Sequence, residues 1–508
     1  MVYSVMEYIL EEYAVMDLTS FYFLCFFAVL LAVYYITPGR LQWMILLGAG
    51  IIFYLCAGEP LLILYPLAAV AVSFLCAGGI VRAQESGDQK KAKRFLLADL
   101  LLLIGCLAVV KYLRFGSFNI AVPIGLSFYT FTLVGYTVDL YNGIGRQQKN
   151  PLKLLTYGMY FPLMISGPIL KYREDGEQFF ERHRISYDNL TLGAQRILWG
   201  FFKKLVIAER AAVLSTAIFD HYDEYSGAYI WFGALMFTFQ LYTDFSGCMD
   251  IVLGISQMLG IRLPENFRSP FFSKNISEYW RRWHITLGIW MREYVFYPLL
   301  RSGLFTKIGK SFREKFGKKR GKQLTTFLAM AVLWFTVGLW HGGNVKYLIG
   351  SGMLHWFYIV MGELTLPFFK KVLPAAHIPM EGKAADAFRI LRTFFLVNIG
   401  NVFFNAASAG DGFRMLVRGV SAFNPWILLD GSLLKLGLDS VDCGVLALSL
   451  ILLLIVSLLQ EKGSVRDRIA ALPLPLRWVI WMAFLFLVIL MGQYGPGYIS
   501  SEFIYADF

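Results

Sequence analysis

The sequence holds six histidines, and one of them, His341, has the surroundings expected of a proton acceptor. It follows the apolar run Leu324–Trp340 and precedes Gly342 and Gly343. An ionisable side chain within such a run is costly and therefore indicates a functional site. Because a low dielectric disfavours imidazolium, the ring should be neutral and able to accept a proton. Glycines beside it allow close approach of a substrate. A hydrogen-bonded structural role is the alternative.

A second histidine, His284, lies in the segment Asn275–Leu300, which is rich in Trp and Arg. At helical spacing, two neighbouring faces are formed by Tyr279, Trp283, Leu287 and Trp290, and by Trp280, His284, Gly288 and Met291. The pattern predicts an amphipathic helix that lies at the membrane interface or re-enters the membrane. A surface anchor with an incidental histidine is the alternative.

A third polar cluster is Gln240–Gly247, in which Asp244 lies among small and aromatic residues, with Asp250 close behind. A carboxylate beside an apolar span could orient a histidine, or could pair with Arg281 or Arg282 in the interior. A helix cap is the simpler role for Asp244.

The other four histidines and the cysteines give weaker signals. His183 and His221 lie in charged segments and His377 in a polar connection, so we predict all three in loops. His355 follows a glycine-rich stretch and is predicted to be a buried structural residue. The six cysteines are scattered without a CxxC or Cys/His cluster, so we expect neither a metal site nor a disulfide framework.

The elements that carry these residues have the composition of a membrane protein. Hydrophobic residues make up 57% of the 508 positions and charged residues 16%, against roughly 25% charged residues in soluble domains. A spanning helix needs about 20 mostly apolar residues. Clear runs of this kind are Phe21–Ile36, Leu41–Ala57, Leu61–Val81, Phe95–Leu113, Leu324–Trp340, Phe388–Phe404, Val445–Leu459 and Val479–Met491.

Weaker runs are interrupted by Gly and Pro. They are Val122–Tyr141, Leu152–Leu170, Leu192–Ala208, Tyr229–Phe245 and Tyr347–Met361. Both sets together predict an all-α integral membrane protein with roughly 11 to 13 transmembrane helices, plus re-entrant or interfacial helices. Alternating strand patterns are absent from the sequence. We expect no cleavable signal peptide, because the chain begins with the acidic residues Glu7, Glu11, Glu12 and Asp17.

We predict one polytopic membrane domain over residues 1–508, in three stretches. Residues 1–115 hold four clear spans, and residues 366–508 return to simple spans joined by polar loops. Residues 116–365 hold shorter, interrupted spans among polar and aromatic clusters. Irregular backbone at membrane depth is tolerated only where protein or a water-filled cavity surrounds it. The functional site is therefore expected in the middle stretch.

The net charge of +12 comes mainly from two basic loops, predicted to be cytoplasmic. The larger loop, residues 301–322, holds nine Lys or Arg and one Glu, and the smaller one spans residues 82–94. Membrane topology and anionic lipid headgroups explain such charge. A docking patch for an acidic cytoplasmic partner or a phosphorylated donor is the sharper alternative. Nucleic acid is not expected, because the basic residues flank spans and no binding motif accompanies them.

Several of these strings occur together in a fixed order. They are PIGLSFYTF (123–131), ISGPILKY (165–172), QLYTDFSG (240–247), LPENFRSPFFSKNISEYWRRWHITL (263–287), GLWHGG (338–343) and FIYADF (503–508). The ordered set resembles the membrane-bound O-acyltransferase (MBOAT) superfamily over essentially the whole chain. Within it, the set is most similar to the bacterial AlgI-like branch of alginate O-acetyltransferase membrane subunits, which is related to the teichoic-acid D-alanyl transfer protein DltB.

This resemblance implies a ring of many helices around a thin central region that holds the site. It matches the characteristic histidine of the family to His341 and a second, often essential histidine to His284, which gives both a catalytic role. The supporting candidates are Asp244, Trp340, Arg281 and Arg282. We expect no metal and no permanently bound cofactor, and the residues that bind the donor stay undefined.

The function implied is O-acyl transfer at the cytoplasmic (inner) membrane. An acyl group, expected to be acetyl, would come from a cytoplasmic thioester, either acetyl-CoA or an acyl carrier protein, with the basic loop 301–322 as a docking place. It would cross or enter the membrane and end on hydroxyls of a cell-envelope polysaccharide, directly or through a secreted partner. The alternatives are a lipid acyltransferase, a transporter or channel, and a scaffold without chemistry.

Overall fold

The computed structural model describes residues 16–112, 121–494 and 503–504. Within these ranges the regular structure is helical, and the only strand-like pairing is an isolated bridge between Phe267 and Trp283. The predicted all-α fold is therefore confirmed. The acidic positions 7, 11 and 12, the end of one apolar run at position 113, and most of the C-terminal FIYADF string lie outside the described residues.

Among the described residues, seven helical segments are long and apolar enough to cross a membrane. They are Gly39–Ala57, Pro60–Glu85, Gln89–Tyr112, Gly303–Trp340, Lys383–Asn405, Ser440–Gln460 and Leu474–Met491. A shorter apolar helix spans Phe21–Ile36. Each of the eight clear runs is thus helical over its described residues, as expected of a multi-pass membrane protein. The interrupted runs form shorter or less apolar helices, so the total of 11 to 13 spans stays a prediction.

The chain divides into two compact units, and we describe each by itself. The first takes the described residues of Met1–Phe201, Gly247–Pro264 and Glu502–Asp507. The second takes those of Phe202–Ser246 and Glu265–Ser501. These boundaries differ from the predicted stretches 1–115, 116–365 and 366–508, and the single polytopic domain over 1–508 stays a prediction.

Within its described residues, the first unit contains eight complete α-helices and a five-residue π-helical turn, Tyr172–Gly176. The α-helices are α1 (Phe21–Ile36), α2 (Gln42–Ala57), α3 (Leu64–Glu85), α4 (Gln89–Tyr112), α5 (Leu126–Tyr141), α6 (Pro151–Gly158), α7 (Pro162–Ile165) and α8 (Tyr187–Phe201). The predicted break at the start of α5 is present, since Gly125 precedes this helix with a φ of 71°, a left-handed conformation that favours glycine.

The second unit holds the remaining α-helices, apart from the end of the long helix α10. They are α9 (Glu209–Asp220), α10 (Ala228–Met258), α11 (Ile276–Arg282), α12 (Ile285–Met291), α13 (Tyr297–Arg301), α14 (Gly303–Trp340), α15 (Val345–Tyr347), α16 (Leu354–Ala375), α17 (Lys383–Asn405), α18 (Ala409–Ser421), α19 (Ser440–Gln460), α20 (Val465–Ala470) and α21 (Leu474–Met491). π-Helical segments occur at Phe202–Ala208, Arg292–Phe296 and Leu348–Met353.

The segment Asn275–Leu300 is not one amphipathic helix, and that prediction is wrong. Helix α11 ends at Arg282, and α12 begins at Ile285. Between them Trp283 is extended and His284 has a φ of 45° and a ψ of 54°. The bridge from Trp283 to Phe267 takes the place of helical pairing at this point. The segment continues as α12, the π-helical segment and α13.

The basic segment 301–322 is helical, so its description as a loop is also wrong. It forms the first part of α14, which is interrupted at Gly317, where a φ of 79° is incompatible with a continuous helix. The chain turns back there, because a Cβ built on Gly321 would lie 2.5 Å from the Arg313 Cα. The basic residues therefore sit on a helical hairpin whose two arms pack closely.

Replacing Gly321 with alanine should destabilise this hairpin by about 1–3 kcal/mol, since the added methyl group overlaps the backbone of Arg313. Thermal unfolding of the purified protein in detergent measures the loss. Gly303→Ala is the matched control, because a Cβ on Gly303 of the same helix meets nothing within 4 Å. Equal melting temperatures for the two variants would contradict the close packing of the arms.

Candidate active site

The two histidines predicted to be catalytic both belong to the second unit and share one aromatic neighbour. His284 is 2% exposed and His341 is 3% exposed. The Trp340 indole centroid lies 5.9 Å from the His284 ring centroid and 4.7 Å from that of His341. The structure thus brings together two catalytic candidates and one supporting candidate, although their sequence strings are far apart.

His341 lies at the point where α14 ends. The following Gly342 and Gly343 have φ values of 137° and 71°, which a residue with a side chain rarely adopts. A Cβ on Gly342 would lie 3.0 Å from the Tyr347 ring, so glycine also provides space there. The imidazole packs edge-to-face against Phe404, with 5.4 Å between centroids. This end of α14 therefore holds the histidine in aromatic surroundings.

His284 occupies a strained position that its neighbours fix on both sides. A left-handed conformation is uncommon for residues other than glycine and persists where the surrounding structure determines it. Here the Ile285 N–H donates to the Asn266 carbonyl at 3.0 Å, and the Arg268 N–H donates to the Arg282 carbonyl at 2.9 Å. The segment that begins at Asn266 thereby clamps the chain around His284. Such strain at a buried polar residue is typical of functional sites.

Asn266 also contacts the His284 imidazole, which the sequence did not predict. Its Oδ1 accepts hydrogen bonds from the backbone N–H and the hydroxyl of Thr286, both at 3.0 Å. The same oxygen lies 3.3 Å from His284 Nδ1. Burial lowers the pKa of His284, which lies outside the seven candidate spans, to about 3, so the ring is neutral. Asn266 is in the quoted string LPENF, but nothing there indicates which side chain it faces.

Asp244 does not cap a helix, because it lies within α10. Its Oδ1 lies 2.7 Å from Lys204 Nζ, which in turn lies 2.8 Å from Glu209 Oε1. All three side chains are buried, so one lysine bridges two carboxylates in the interior. The proposed partners Arg281 and Arg282 are placed elsewhere, and Lys204 was missed even though a lysine pair interrupts the apolar run before α9.

The lysine pair fixes the part of α10 that contacts His284. Lys203 Nζ lies 2.9 Å from Ser246 Oγ, and Lys204 holds Asp244. Successive side chains of a helix are rotated by about 100° around its axis. Position 245 therefore points away from the side of the helix that lies between positions 244 and 246. Phe245 there packs edge-to-face on the His284 ring, with 4.9 Å between centroids. The contacts of Lys203 and Lys204 with this part of α10 therefore hold one wall of the histidine site.

The two supporting arginines lie at the end of α11. Arg281 is exposed. Arg282 forms ion pairs with Glu278 at 2.9 Å and with Glu461 at 2.6 Å. These contacts join α11 to the end of α19, so Arg282 has a partner other than the aspartates of α10. In the first unit, Asp250 pairs with Arg196 at 2.9 Å.

The remaining histidines lie where the sequence predicted them. His355 is buried, with its ring centroid 4.9 Å from that of Trp280 and 5.7 Å from that of Trp334. His183, His221 and His377 all lie outside helices. The second unit therefore contains a third buried histidine, His355, whose ring contacts the indoles of Trp280 and Trp334.

Two buried imidazoles in such surroundings suit proton transfer. A neutral ring offers one lone pair and one N–H, so it can accept a proton from a hydroxyl without first losing one. The low polarity around it strengthens each electrostatic interaction. At His341, the partial negative charge at the C-terminal end of α14 favours the positive charge that forms when the ring accepts a proton.

The class of protein follows from the comparison of this chain with known families. The model of the membrane-bound O-acyltransferase family (MBOAT) matches residues 143–406, which include His284, His341 and their aromatic neighbours. The chain belongs to this family, and it is a multi-pass membrane enzyme that transfers acyl groups to hydroxyls. The resemblance derived from the ordered strings is confirmed.

Three of its bacterial relatives are named for the transfer of acetyl or D-alanyl groups. The chain is 31% identical to a probable alginate O-acetylase AlgI from Azotobacter vinelandii, over 86% of this chain and 83% of the relative. It is 29% identical to a peptidoglycan O-acetyltransferase from Helicobacter pylori, over 61% and 59%. A teichoic acid D-alanyltransferase from Bacillus subtilis is also 29% identical, over 47% and 58%.

Proposed function

We propose that this enzyme moves an acyl group from a cytoplasmic thioester to hydroxyls of a cell-envelope polysaccharide. The acyl group that we propose is acetyl. The observation that carries the proposal is the pair of buried histidines around Trp340, inside the region that matches the family. The names of the relatives support a polysaccharide acceptor. The enzyme would act in the cytoplasmic membrane, either directly on the polymer or through a secreted partner that completes the transfer.

In the proposed reaction, His341 acts as the general base. Its imidazole accepts the proton of the attacking hydroxyl, the hydroxyl oxygen forms the new ester bond, and the thioester C–S bond breaks. The proton then passes from the imidazolium to the departing thiolate, so the products are an ester and a free thiol. General acid–base catalysis of this kind contributes about 10²–10⁴-fold. The proposed reaction is a direct transfer, so it includes no covalent acyl-enzyme intermediate.

The proposed donor is a thioester of coenzyme A or of an acyl carrier protein. Acetyl-CoA and an acyl carrier protein present the same thioester, and both carry negative charge. The helical hairpin at the start of α14 exposes most of its Lys and Arg side chains, and we propose it as the donor's docking place. An acyl carrier protein is the alternative to acetyl-CoA as the donor.

Labelled acetate fed to cells that express the enzyme tests the acceptor. We expect the label in the envelope polysaccharide, released by mild alkali, and its loss when the gene is deleted. Label confined to an organic extract would instead indicate a lipid acyltransferase. Substrate flux across proteoliposomes without thioester consumption would indicate a transporter, and either result would overturn the proposal.

A further inference from the structure

Asn266 presents an oxygen to His284, and the identity of this atom follows from Thr286. A backbone N–H can only donate, so the atom of Asn266 that lies 3.0 Å from the Thr286 nitrogen must be the carbonyl oxygen. The Thr286 hydroxyl lies at the same distance from this oxygen. The two contacts with Thr286 therefore fix the orientation of the Asn266 side-chain amide.

The orientation of Asn266 determines which nitrogen of His284 carries the proton. The neutral imidazole has its proton on either Nδ1 or Nε2. With the proton on Nε2, the Nδ1 lone pair would face the Asn266 oxygen at 3.3 Å, which is repulsive. With the proton on Nδ1, the same contact is a hydrogen bond. The left-handed backbone of His284 and its packing against Phe245 hold the ring in this place.

We infer that Asn266 is a positioning residue that fixes His284 in the tautomer with the proton on Nδ1, so that His284 meets the substrate through Nε2 as a hydrogen-bond acceptor. The contact between His284 and the substrate rests on the proposed function. The tautomer does not, because it follows from the contacts of Asn266 alone. It assigns a role that the two histidines alone leave open.

The tautomer separates the roles of the two histidines. A developing oxyanion requires donors, and a neutral ring whose single N–H is directed at Asn266 has none left to offer. His284 is therefore not the oxyanion donor. A polysaccharide carries several hydroxyls on each sugar, so one can react at His341 while a neighbouring hydroxyl donates to His284 Nε2. This arrangement would select acceptors with adjacent hydroxyls.

Nitrogen NMR of the full-length protein in lipid, labelled with ¹⁵N-histidine, tests the tautomer directly. The His284 signal is identified by its loss in His284→Asn, a change that the left-handed backbone tolerates. We expect a neutral ring protonated on Nδ1 in the wild type and in Asn266→Asp, which keeps the acceptor oxygen. In Asn266→Leu this preference should be lost. Asn401→Leu is the matched control, because Asn401 donates to Thr238 and not to the histidine.

Polymer acylation in the same variants gives the second readout. We expect a fall of about 10-fold or more in Asn266→Leu and substantial recovery in Asn266→Asp, because only the latter retains the tautomer. A wild-type His284 protonated on Nε2 would overturn the inference, even if Asn266→Leu fails to fold. A correct tautomer together with the absence of any acyl transfer would instead contradict the proposed function alone.

Discussion

The His341→Ala variant should lose acyl transfer by about 10²–10⁴-fold, the range that a positioned general base contributes. The reason is that the variant lacks the imidazole that accepts the hydroxyl proton at the end of α14. Alanine fits a buried site, and the backbone of His341 is helical, so we expect the variant to insert and fold. The measurement is polymer-bound acetyl label per mole of enzyme recovered from the membrane.

The control for His341→Ala is His377→Asn. His377 is exposed, lies in a connection between helices, and has a φ of 57° that asparagine tolerates. This variant should retain wild-type transfer. Full activity of His341→Ala, in a protein that melts at the wild-type temperature, would eliminate the base role.

The Lys204→Met variant should lose about 3–5 kcal/mol of stability, the range seen when one member of a buried ionic group is removed. The change leaves Asp244 and Glu209 in the interior without the cation that lies between them. Chemical or thermal unfolding in a defined detergent measures this loss. We also expect reduced transfer, because the contact between Lys204 and Asp244 helps to hold Phe245 against the His284 ring.

Charge removal in the partners provides the control for Lys204→Met. The triple variant Lys204→Met, Glu209→Gln, Asp244→Asn carries no buried charge at these positions, so most of the stability should return. The changes in stability caused by mutations at residues in contact do not simply add. If the triple variant is less stable than the wild type by the sum of three independent losses, the three side chains do not act as one ionic group.

The membrane helices could be predicted from sequence because their signal is local. A run such as Leu324–Trp340 is too apolar and too long for any other setting, whatever it packs against. His341 was found for the same reason, since an ionisable residue at the end of such a run stands out. The glycines after it have the positive φ values that their residue type permits.

The break at His284 could not be predicted, because its cause lies elsewhere in the chain. The Trp and Arg periodicity of the segment fits a continuous helix, and no Gly or Pro occurs at the break. The structure interrupts it through pairing with Phe267 and Asn266. Helical periodicity is a weak prior that tertiary contacts override.

The need for a charged partner to Asp244 was predictable, but its identity was not. A buried carboxylate requires a counter-charge or hydrogen bonds, and the partners considered from the sequence were Arg281 and Arg282. The actual partner, Lys204, lies in an interrupted apolar run. Two adjacent lysines in such a run were the available signal, since a buried lysine is costly without a carboxylate. Asn266 offered no comparable signal, because an uncharged amide can be placed in any loop.

An experimental structure with a thioether analogue of acetyl-CoA, in which the thioester sulfur is separated from the carbonyl carbon by a methylene group, tests the account most directly. We expect the carbonyl carbon next to the His341 imidazole, with space between them for one hydroxyl oxygen, so about 5–6 Å apart given two contacts of roughly 3 Å. An analogue bound with its carbonyl outside the reach of His341, and with Trp340 and Phe404 still closed around that ring, would contradict the assignment of the catalytic base.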